Sequence, residues 1–343
     1  GRYFYVCDLV LNIAMRMYLL PLLANMLAHP YQSSITGTMN PSGKGWDELT
    51  RHLTEFGEDR MLDGDEKTFD LKHWIMQQYY ASYMQLYALR LGYSERDAHI
   101  VLRLCLCSTR YVLLIQGVFV HCSSGLCSGL ADTLHRNSVI LKALIYYSFL
   151  RKHPKEVPKD FLRLSLTGDD SLVNVSRKIQ FSGVDIWEGN RECGYEYTAG
   201  NKSTYFEFKD IREVDYLKRR FKLRRGFWMA PLAKQSIYKS LCYRLSLSVD
   251  ERTRSVATLC SAAREMFLHG EDEFEAFCQH AHLLGYGIDF PSSDELWEDY
   301  LVGELRPWDV HQSRRGNDGE SDDLADDTVM NSVSCDASDL VPQ

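Results

Sequence analysis

The sequence is poor in the features that mark secreted and membrane-spanning chains. No signal-peptide pattern is found at the start of its 343 residues. The most apolar segment, residues 9–28, is not an unbroken hydrophobic run, because it is interrupted by Asn12, Arg16, Pro21 and Asn25. We therefore expect a buried or amphipathic helix in this segment and no transmembrane segment.

Cysteine pairs with the spacing of a zinc site are missing as well. The ten cysteines are scattered, many of them within apolar stretches, which is typical of reduced thiols in a cytosolic protein. A zinc site built from Cys105, Cys107, Cys122 and Cys127 would need paired Cys-x2–4-Cys spacing, which these residues lack. Buried thiols are the interpretation that we favour.

An excess of positive charge, common in nucleic-acid-binding proteins, is also absent, since the net charge is −8. Segment 316–343 contains eight acidic residues and no Lys or Arg, so residues 1–315 are formally neutral. Within that body, residues 218–225 form the basic run Lys-Arg-Arg-Phe-Lys-Leu-Arg-Arg. Such runs are usually solvated faces, and a track for a phosphate backbone is the alternative.

The sequence does contain a short acidic motif between two segments of alternating polarity. Leucine occupies every second position of residues 162–166, and alternation resumes after Gly168-Asp169-Asp170. This pattern predicts a β-hairpin with two carboxylates at its tip. Burial and repulsion penalise ionising both, and a divalent cation such as Mg²⁺ or Mn²⁺ removes that penalty. A solvated turn is the alternative, because the triplet occurs by chance in roughly one such chain in fifteen.

A second acidic pair precedes a long predicted helix over residues 71–91. Asp65 ends a short strand candidate, and Asp70 follows five residues later. On one regular strand the two side chains would face opposite ways, so they converge only if Asp70 lies past a turn. At that position Asp70 would also be a good helix N-cap, which is the structural alternative.

A polar stripe marks the helix predicted over residues 130–150. Gly129, Thr133 and Asn137 are spaced by four, which stacks them along a single helix face. A hydroxyl and a carboxamide in line form either a hydrogen-bond ladder inside the core or a site that recognises a ribose hydroxyl beside a carboxylate such as Asp70.

The remaining patterns carry less information. Residues 111–121 are apolar and β-branched, which predicts a buried strand or hairpin. Strands are predicted at residues 178–186 and 204–208, with a loop at 198–203 between them. From residue 226 onward the pattern is mostly helical, with order ending near residue 307 and helices near residues 234–246, 250–268 and 271–284.

Three motifs follow one another in the order Asp65-x4-Asp70, Ser128-Gly129-x3-Thr133-x3-Asn137 and Gly168-Asp169-Asp170. In this combination, residues 2–245 resemble the positive-strand viral RNA-dependent RNA polymerases of the picorna-like group. The resemblance implies an α+β right-hand fold with fingers, a palm with an antiparallel sheet and a helical thumb. The implied division is partial fingers at 1–60, palm at 61–71 and 123–220, fingers and palm helices with a strand at 72–122, thumb at 221–310, and an acidic disordered tail at 311–343.

The resemblance also implies roles for individual residues. Asp65 and Asp169 would hold two Mg²⁺ or Mn²⁺ ions, and Asp170 would be a neighbouring metal ligand with a lesser part. Lys202 falls where the family places a proton donor to the leaving pyrophosphate. Lys218 and Arg219 belong to a segment that resembles the primer-gripping hairpin, and they would bind RNA.

The implied nucleotide-binding residues are Asp70, Ser128, Gly129, Thr133, Asn137 and Arg2. In the family, the pair matched by Asp70 and Asn137 selects ribose through its 2′-hydroxyl, and the residue matched by Thr133 supports that pair. Ser128 and Gly129 match a loop that adjusts with the templating base, and Arg2 resembles the triphosphate-binding arginine of the fingers.

The function implied is template-directed RNA synthesis, in which NTPs are added to an RNA 3′-hydroxyl by two-metal catalysis during viral genome replication. The implied partners are an RNA template and primer, NTPs and other viral replication proteins, and the implied location is the host-cell cytoplasm. The family's fingers begin upstream of Arg2, so we expect the N-terminal fingers to be missing. The alternative is then an RNA-binding polymerase fragment without turnover.

A different enzyme class shares a short motif with this chain. Residues 125–129, Gly-Leu-Cys-Ser-Gly, faintly resemble the Gly-x-Cys-Gly-Gly of chymotrypsin-like viral cysteine proteases, with Cys127 as nucleophile and His73 as base. That fold requires strands on both sides of the cysteine, whereas a helix is predicted directly after it. We therefore rank the protease below both polymerase hypotheses.

Overall fold

The computed structural model describes residues 7–242 and 250–302. Arg2, the acidic segment 316–343 and the predicted loss of order beyond residue 307 lie outside these ranges. The described part of the chain is a mixture of helices with antiparallel sheets, in agreement with the predicted α+β class.

The described part of the chain up to residue 122 is mostly helical and contains one strand and one β-hairpin. The elements in order are α1 (Leu9–Ala28), α2 (Pro30–Ser33), α3 (Lys44–Leu53), β1 (Met61–Glu66), α4 (Phe69–Lys72), α5 (Ile75–Arg90), α6 (Glu95–Cys107), β2 (Tyr111–Ile115) and β3 (Val118–Cys122).

The rest of the chain alternates strands and helices before ending in helices. Its elements are α7 (Thr133–Lys152), β4 (Leu162–Thr167), β5 (Asp170–Val175), α8 (Gly183–Glu192), β6 (Tyr197–Ala199), β7 (Lys222–Arg224), β8 (Phe227–Met229), α9 (Lys234–Leu241), α10 (Glu251–His269), α11 (Glu271–His282) and α12 (Ser293–Val302).

The central sheet has four antiparallel strands in the order β4-β5-β1-β6. Leu62 of β1 lies opposite Val173 of β5, which lies opposite Leu164 of β4, and all three are buried in the larger core. Met61 and Leu172 face a second, smaller core on the other side of the sheet. Both faces are therefore covered, and the register is held by apolar residues on each of them.

The predicted hairpin at residues 162–175 is confirmed. A two-residue turn, Gly168-Asp169, joins β4 to β5, and Thr167 pairs with Asp170 across it. Gly168 has φ +67, as the first central position of a tight hairpin turn often requires. Asp169 therefore lies at the tip of the hairpin and Asp170 begins the returning strand.

Two strand predictions after the hairpin are wrong. Residues 183–186, predicted as strand, begin α8, because Ser182 and Asp185 form a capping box in which the Ser182 amide donates to the Asp185 carboxylate at 2.7 Å. The edge strand β6 instead lies at Tyr197–Ala199, in the region predicted as a loop, while residues 204–208 are not a strand. The pairing of β6 with β1 decides this position.

The helix at residues 9–28 is apolar on both faces, contrary to the amphipathic alternative. Met15, Leu19 and Leu22 are buried in the larger core, whereas Val10 and Met17 are 74 % and 70 % exposed. By length and composition alone the helix is long and apolar enough to cross a membrane, and 28 % of its most apolar window is buried.

The hairpin β2–β3 forms where residues 111–121 predicted it, but it is not buried. Leu114 and Phe119 are 65 % and 71 % exposed. Cys107, one of the cysteines predicted to be buried, is also exposed. Local apolar sequence predicts the element correctly here but not the packing around it.

Close packing of α8 on α7 depends on a small residue at position 189. A Cβ added to Gly189 would lie 2.9 Å from Cα of Ser148, too close for backbone to accommodate without a shift. We expect Gly189→Ala to lower the free energy of unfolding by about 1–3 kcal/mol, the usual cost of overpacking, in chemical denaturation.

Gly45→Ala on α3 is the matched control, because a Cβ there meets its nearest atom, the Asn40 carbonyl, at 3.6 Å. We expect it to leave stability unchanged or raise it, since alanine favours helix over glycine. Equal stability of the two variants would contradict the packing described.

Candidate active site

Three aspartates meet where β1 ends and the β4–β5 hairpin turns. Asp65 lies opposite Asp170 in the β1–β5 register, and the Glu66 amide donates to the Asp169 carbonyl at 3.3 Å. The predicted convergence of Asp65 and Asp169, over a hundred residues apart in sequence, is thus present in the backbone pairing. Strand pairing in the sheet fixes the position of Asp65, and the hairpin turn places the carboxylates of Asp169 and Asp170 beside it.

Two carboxylates at this site, those of Asp169 and Asp170, resist ionisation. Burial, followed by the nearby negative charges of Asp169 and Asp65, raises the pKa of Asp170 to about 7. Burial also raises the pKa of Asp169, to which the charges of Asp65 and Asp70 add. A cation placed among these groups would remove both penalties.

Lys202 provides the positive charge nearest to the acidic site. It follows β6 in a turn with φ +65, and its ammonium group forms an ion pair with Oδ2 of Asp65. Its side chain is 64 % exposed, so it is accessible from solvent as well as from the aspartates. The structure therefore brings the predicted Lys202 to the predicted site.

The acidic site is not a ready-made metal cage. Within residues 7–242 and 250–302, no group of three or more His, Cys, Asp or Glu is arranged to hold a metal ion. Lys202 instead pairs with one oxygen of Asp65. The donor set still fits a hard divalent cation, since it consists of carboxylates, two of which have raised pKa values.

Asp70 and Asn137 form the hydrogen-bonded pair that the sequence predicts. The Asn137 amide nitrogen donates to Oδ1 of Asp70 at 2.6 Å. The N-cap alternative for Asp70 is wrong, because Thr68 occupies that position and Asp70 lies inside the short helix α4. The long helix predicted from residue 71 begins only at Ile75, which leaves Asp70 in a separate turn facing α7.

The Asn137 carboxamide has a second partner that sequence reasoning missed. His73 Nε2 lies 2.8 Å from Asn137 Oδ1, and His73 Nδ1 lies 3.0 Å from the Tyr195 hydroxyl. His73 is fully buried, and that burial lowers its pKa to about 4. No spacing pattern marks this histidine, because its partners come from two distant parts of the chain.

The loop before α7 departs from the predicted polar stripe. Because α7 begins at Thr133, Gly129 lies in the loop and shares no helix face with Asn137. Thr133 donates to the Leu130 carbonyl at 2.9 Å and so closes the loop; its hydroxyl is engaged there and not with the Asn137 side chain. The Ser128 hydroxyl is buried without a protein partner, which leaves an unused donor in this loop.

Asn12 of α1 holds the same loop from the other side. Its amide nitrogen donates to the Gly129 carbonyl at 3.1 Å, and its Oδ1 accepts from the Ala131 amide at 3.2 Å. A carboxamide inside an otherwise apolar helix was the available sequence signal. Glu66 is a second missed residue, since both its oxygens are buried and unpartnered, and burial raises its pKa to about 8.

The basic run 218–225 is largely engaged with the C-terminal helices. The Arg219 guanidinium forms a two-pronged ion pair with Glu265 at 2.7 and 2.8 Å. Arg224 donates to the Phe267 carbonyl at 2.8 Å and lies over the Trp297 ring. Lys218 is exposed at a tight turn, so the structure presents Lys218, rather than Arg219, at the surface.

The arrangement required of a cysteine protease is contradicted. Both ring nitrogens of His73 are engaged, by Asn137 and Tyr195. The Cys127 sulfur instead lies 2.9 Å from the sulfur of Cys7. With the proposed base, His73, engaged at both nitrogens and helix α7 starting six residues after Cys127, the protease hypothesis has no structural support.

An RNA polymerase is the class of protein to which the acidic hairpin and the paired Asp70 and Asn137 point. The sequence profile of the family described as viral RNA-dependent RNA polymerase matches residues 1–284. The chain therefore belongs to the viral RNA-dependent RNA polymerase family, and the resemblance noted from its motifs is confirmed.

Similar proteins include polyproteins of plant, human and insect viruses. The RNA1 polyprotein of broad bean wilt virus 1 is 24 % identical over 81 % of this chain, and the genome polyprotein of human hepatitis A virus genotype IIIB is 25 % identical over 79 %. The replicase polyprotein of acute bee paralysis virus is 27 % identical over 77 %. The chain spans 12–15 % of the length of these polyproteins.

Helix α7 steadies the acidic turn through Ser138. The buried Ser138 hydroxyl accepts from the Gly168 amide at 3.0 Å and donates to the Leu134 carbonyl at 2.8 Å. We expect Ser138→Ala to lower the free energy of unfolding by about 1–3 kcal/mol, because a buried amide loses its acceptor. Amide hydrogen exchange should also speed up at Gly168.

Ser148→Ala on the same helix is the matched control. Ser148 is buried too, but its hydroxyl contacts only the carbonyls of Leu144 and Ile186, so its removal strands no N–H group. Unchanged exchange at Gly168 in Ser138→Ala would show that the turn does not depend on this bond.

Proposed function

We propose that this chain catalyses template-directed RNA synthesis by transferring nucleotides from NTPs to an RNA 3′-hydroxyl during viral genome replication. The observation that carries the proposal is the pairing of β1 with β5, which sets Asp65 against Asp170 with Asp169 at the adjacent turn. Membership of the polymerase family supports it. Phosphoryl transfer needs mainly positioning and charge neutralisation, and an acidic site of this kind is suited to both.

Asp65 and Asp169 would hold two Mg²⁺ or Mn²⁺ ions, with Asp170 beside them. When bound, such ions activate the attacking 3′-hydroxyl and neutralise charge on the leaving oxygen. The raised pKa values of Asp169 and Asp170 are consistent with carboxylates that lack a counter-charge. Lys202, which pairs with Asp65, is suited to give a proton to the departing pyrophosphate.

Asp70 and Asn137 are proposed to select ribose over deoxyribose. Their side chains are joined at 2.6 Å and together present acceptor and donor groups to a 2′-hydroxyl, which is itself both donor and acceptor. The unpartnered Ser128 hydroxyl in the adjoining loop suits a role in adjusting to the template. Thr133 supports the site indirectly by closing that loop.

We further propose the right-hand division for the described chain. The four-stranded sheet that carries the aspartates would be the palm, and helices α10–α12 would belong to the thumb. The ion pair between Arg219 and Glu265 joins the segment after the sheet to α10. Of the two residues predicted to bind RNA, Lys218 and Arg219, Lys218 is the one exposed at its turn. Lys218 is therefore the residue suited to contact a primer phosphate.

The partners that follow from this function are an RNA template and primer, NTPs and other viral replication proteins. Its setting would be the host-cell cytoplasm, where positive-strand RNA viruses replicate in general. Family membership supports both statements.

Removing one carboxylate from the acidic site should stop catalysis while sparing RNA binding. We expect Asp169→Asn to reduce nucleotide incorporation at least about a hundredfold. An amide is a weaker metal ligand than a carboxylate, so the cation that would neutralise charge at the reacting phosphate is held less well. The measurement is primer extension with Mg²⁺, run on this chain and on a version lengthened at its N-terminus, with RNA affinity followed by fluorescence anisotropy.

Asp272→Asn, on the exposed surface of α11, is the control for loss of one charge. Unchanged incorporation by Asp169→Asn would refute the catalytic assignment. RNA binding without incorporation by the parent chain, together with incorporation by its lengthened version, would favour the alternative of a fragment without turnover. Failure of both to incorporate nucleotide would count against the proposed function itself.

Ribose selectivity should depend on Asn137. We expect Asn137→Ala to lower the preference for ATP over 2′-deoxy-ATP by roughly tenfold, the value of about one hydrogen bond. The ratio of kcat/KM for the two nucleotides measures this, with ATP incorporation by the same variant as internal reference. A ratio equal to that of the parent would count against the selector role.

A further inference from the structure

Four side chains form a continuous hydrogen-bonded row behind the proposed ribose site. The Tyr195 hydroxyl lies 3.0 Å from His73 Nδ1, His73 Nε2 lies 2.8 Å from Asn137 Oδ1, and the Asn137 amide nitrogen lies 2.6 Å from Asp70 Oδ1. The four residues come from three separate stretches of the sequence, with Asp70 and His73 in one of them, so only the tertiary fold assembles the row.

Chemistry allows this row to run in only one direction. An ionised Asp70 carboxylate can only accept, so Asn137 must turn its NH₂ group toward it and its oxygen toward His73. The His73 Nε2 must then carry a hydrogen to donate to that oxygen. Because burial keeps His73 neutral, with a pKa lowered to about 4, Nδ1 has no hydrogen and accepts from the Tyr195 hydroxyl.

His73 and Tyr195, at the end of the row away from Asp70, are held in place by burial and by backbone hydrogen bonds nearby. His73 is fully buried and Tyr195 is 3 % exposed, and the edge of Phe69 packs against the His73 ring with centroids 4.4 Å apart. The His73 carbonyl accepts from the Gly125 amide at 2.7 Å and the Asp70 carbonyl accepts from the Leu126 amide at 2.7 Å. These bonds tie α4 to the loop before α7 on either side of the row.

A carboxamide can present its oxygen and its NH₂ group in two orientations that differ by half a turn. In the flipped orientation the Asn137 oxygen would face the Asp70 carboxylate, and two acceptors would meet. Asp70 therefore sets the orientation of Asn137, and the hydrogen bond between His73 Nε2 and Asn137 Oδ1 holds the other end of the carboxamide in that same orientation.

From this geometry we infer that His73 and Tyr195 are positioning residues for sugar selection: they lock the Asn137 carboxamide so that it presents one fixed pattern of donor and acceptor to the nucleotide. This inference rests on the proposed function of Asp70 and Asn137. Neither His73 nor Tyr195 needs to touch the substrate, since both act through Asn137.

The row itself can be tested without nucleotide. In ¹⁵N-histidine NMR of the chain, with the His73 signal identified by its loss in His73→Gln, we expect the neutral Nε2–H tautomer between pH 5 and 8. Asn137→Ala should release that tautomer preference. An Nδ1–H tautomer or a charged imidazolium in the parent over this pH range would overturn the inference.

The consequence for selectivity is tested by binding. Dissociation constants of ATP and 2′-deoxy-ATP, measured by calorimetry with Mg²⁺ and template–primer RNA, give the ribose preference of each variant. We expect Tyr195→Phe, which removes one hydrogen bond of the row, and His73→Phe, which removes two, each to reduce that preference by roughly threefold to tenfold. His73→Gln, whose amide can still donate to Asn137, should retain part of it.

Tyr87→Phe is the matched control, because it likewise removes a tyrosine hydroxyl that forms a side-chain hydrogen bond, here to Asn25 Oδ1 at 2.6 Å, and neither residue belongs to the row. A parental preference in both Tyr195→Phe and His73→Phe, with Asn137→Ala impaired, would overturn the positioning role and leave the proposed function standing. A parental preference in Asn137→Ala would instead remove the selector role itself, and the positioning role with it.

Discussion

The antiparallel pairing of β1 with β5 is the interaction on which the rest of the site depends. It sets Asp65 across from Asp170, against the repulsion and desolvation that raise the pKa of Asp170 to about 7. Apolar burial holds the pairing in register, with Leu62 and Val173 on one face and Met61 and Leu172 on the other. A slip by one residue would turn Asp65 to the opposite face of the sheet, so the two cores jointly specify the site.

Helix α7 is the second support, and it works through buried polar groups. The Arg136–Asp132 ion pair is fully buried and extends to Ser108 and Gln77. Pairs of this kind are costly to break, because either partner alone would be an uncompensated charge in the interior. With Arg136 held in this way, the next residue, Asn137, is placed to donate a hydrogen bond to Asp70.

The elements that could be predicted from the sequence are those specified by local pattern. The hairpin around Gly168 followed from alternation, and the convergence of Asp65 on it was implied by the resemblance to the polymerase family. The strand predicted at residues 178–186 failed because Ser182 and Asp185 form a capping box, a local signal that outweighs weak alternation. The basic run was correctly recognised as charged, but the pairing of Arg219 with Glu265, 46 residues away, has no local signal.

The sequence by itself determined which chemical groups are available: the aspartates, the Asp70 and Asn137 pair, the lysine at 202, and the family to which they belong. Only the tertiary structure decided their orientation and their surroundings. It brought His73 and Tyr195 behind Asn137, placed Gly129 off the helix, and buried Glu66 without a partner. The physical reason is that hydrogen-bond direction and desolvation depend on neighbours distant in sequence, which periodicity and spacing do not encode.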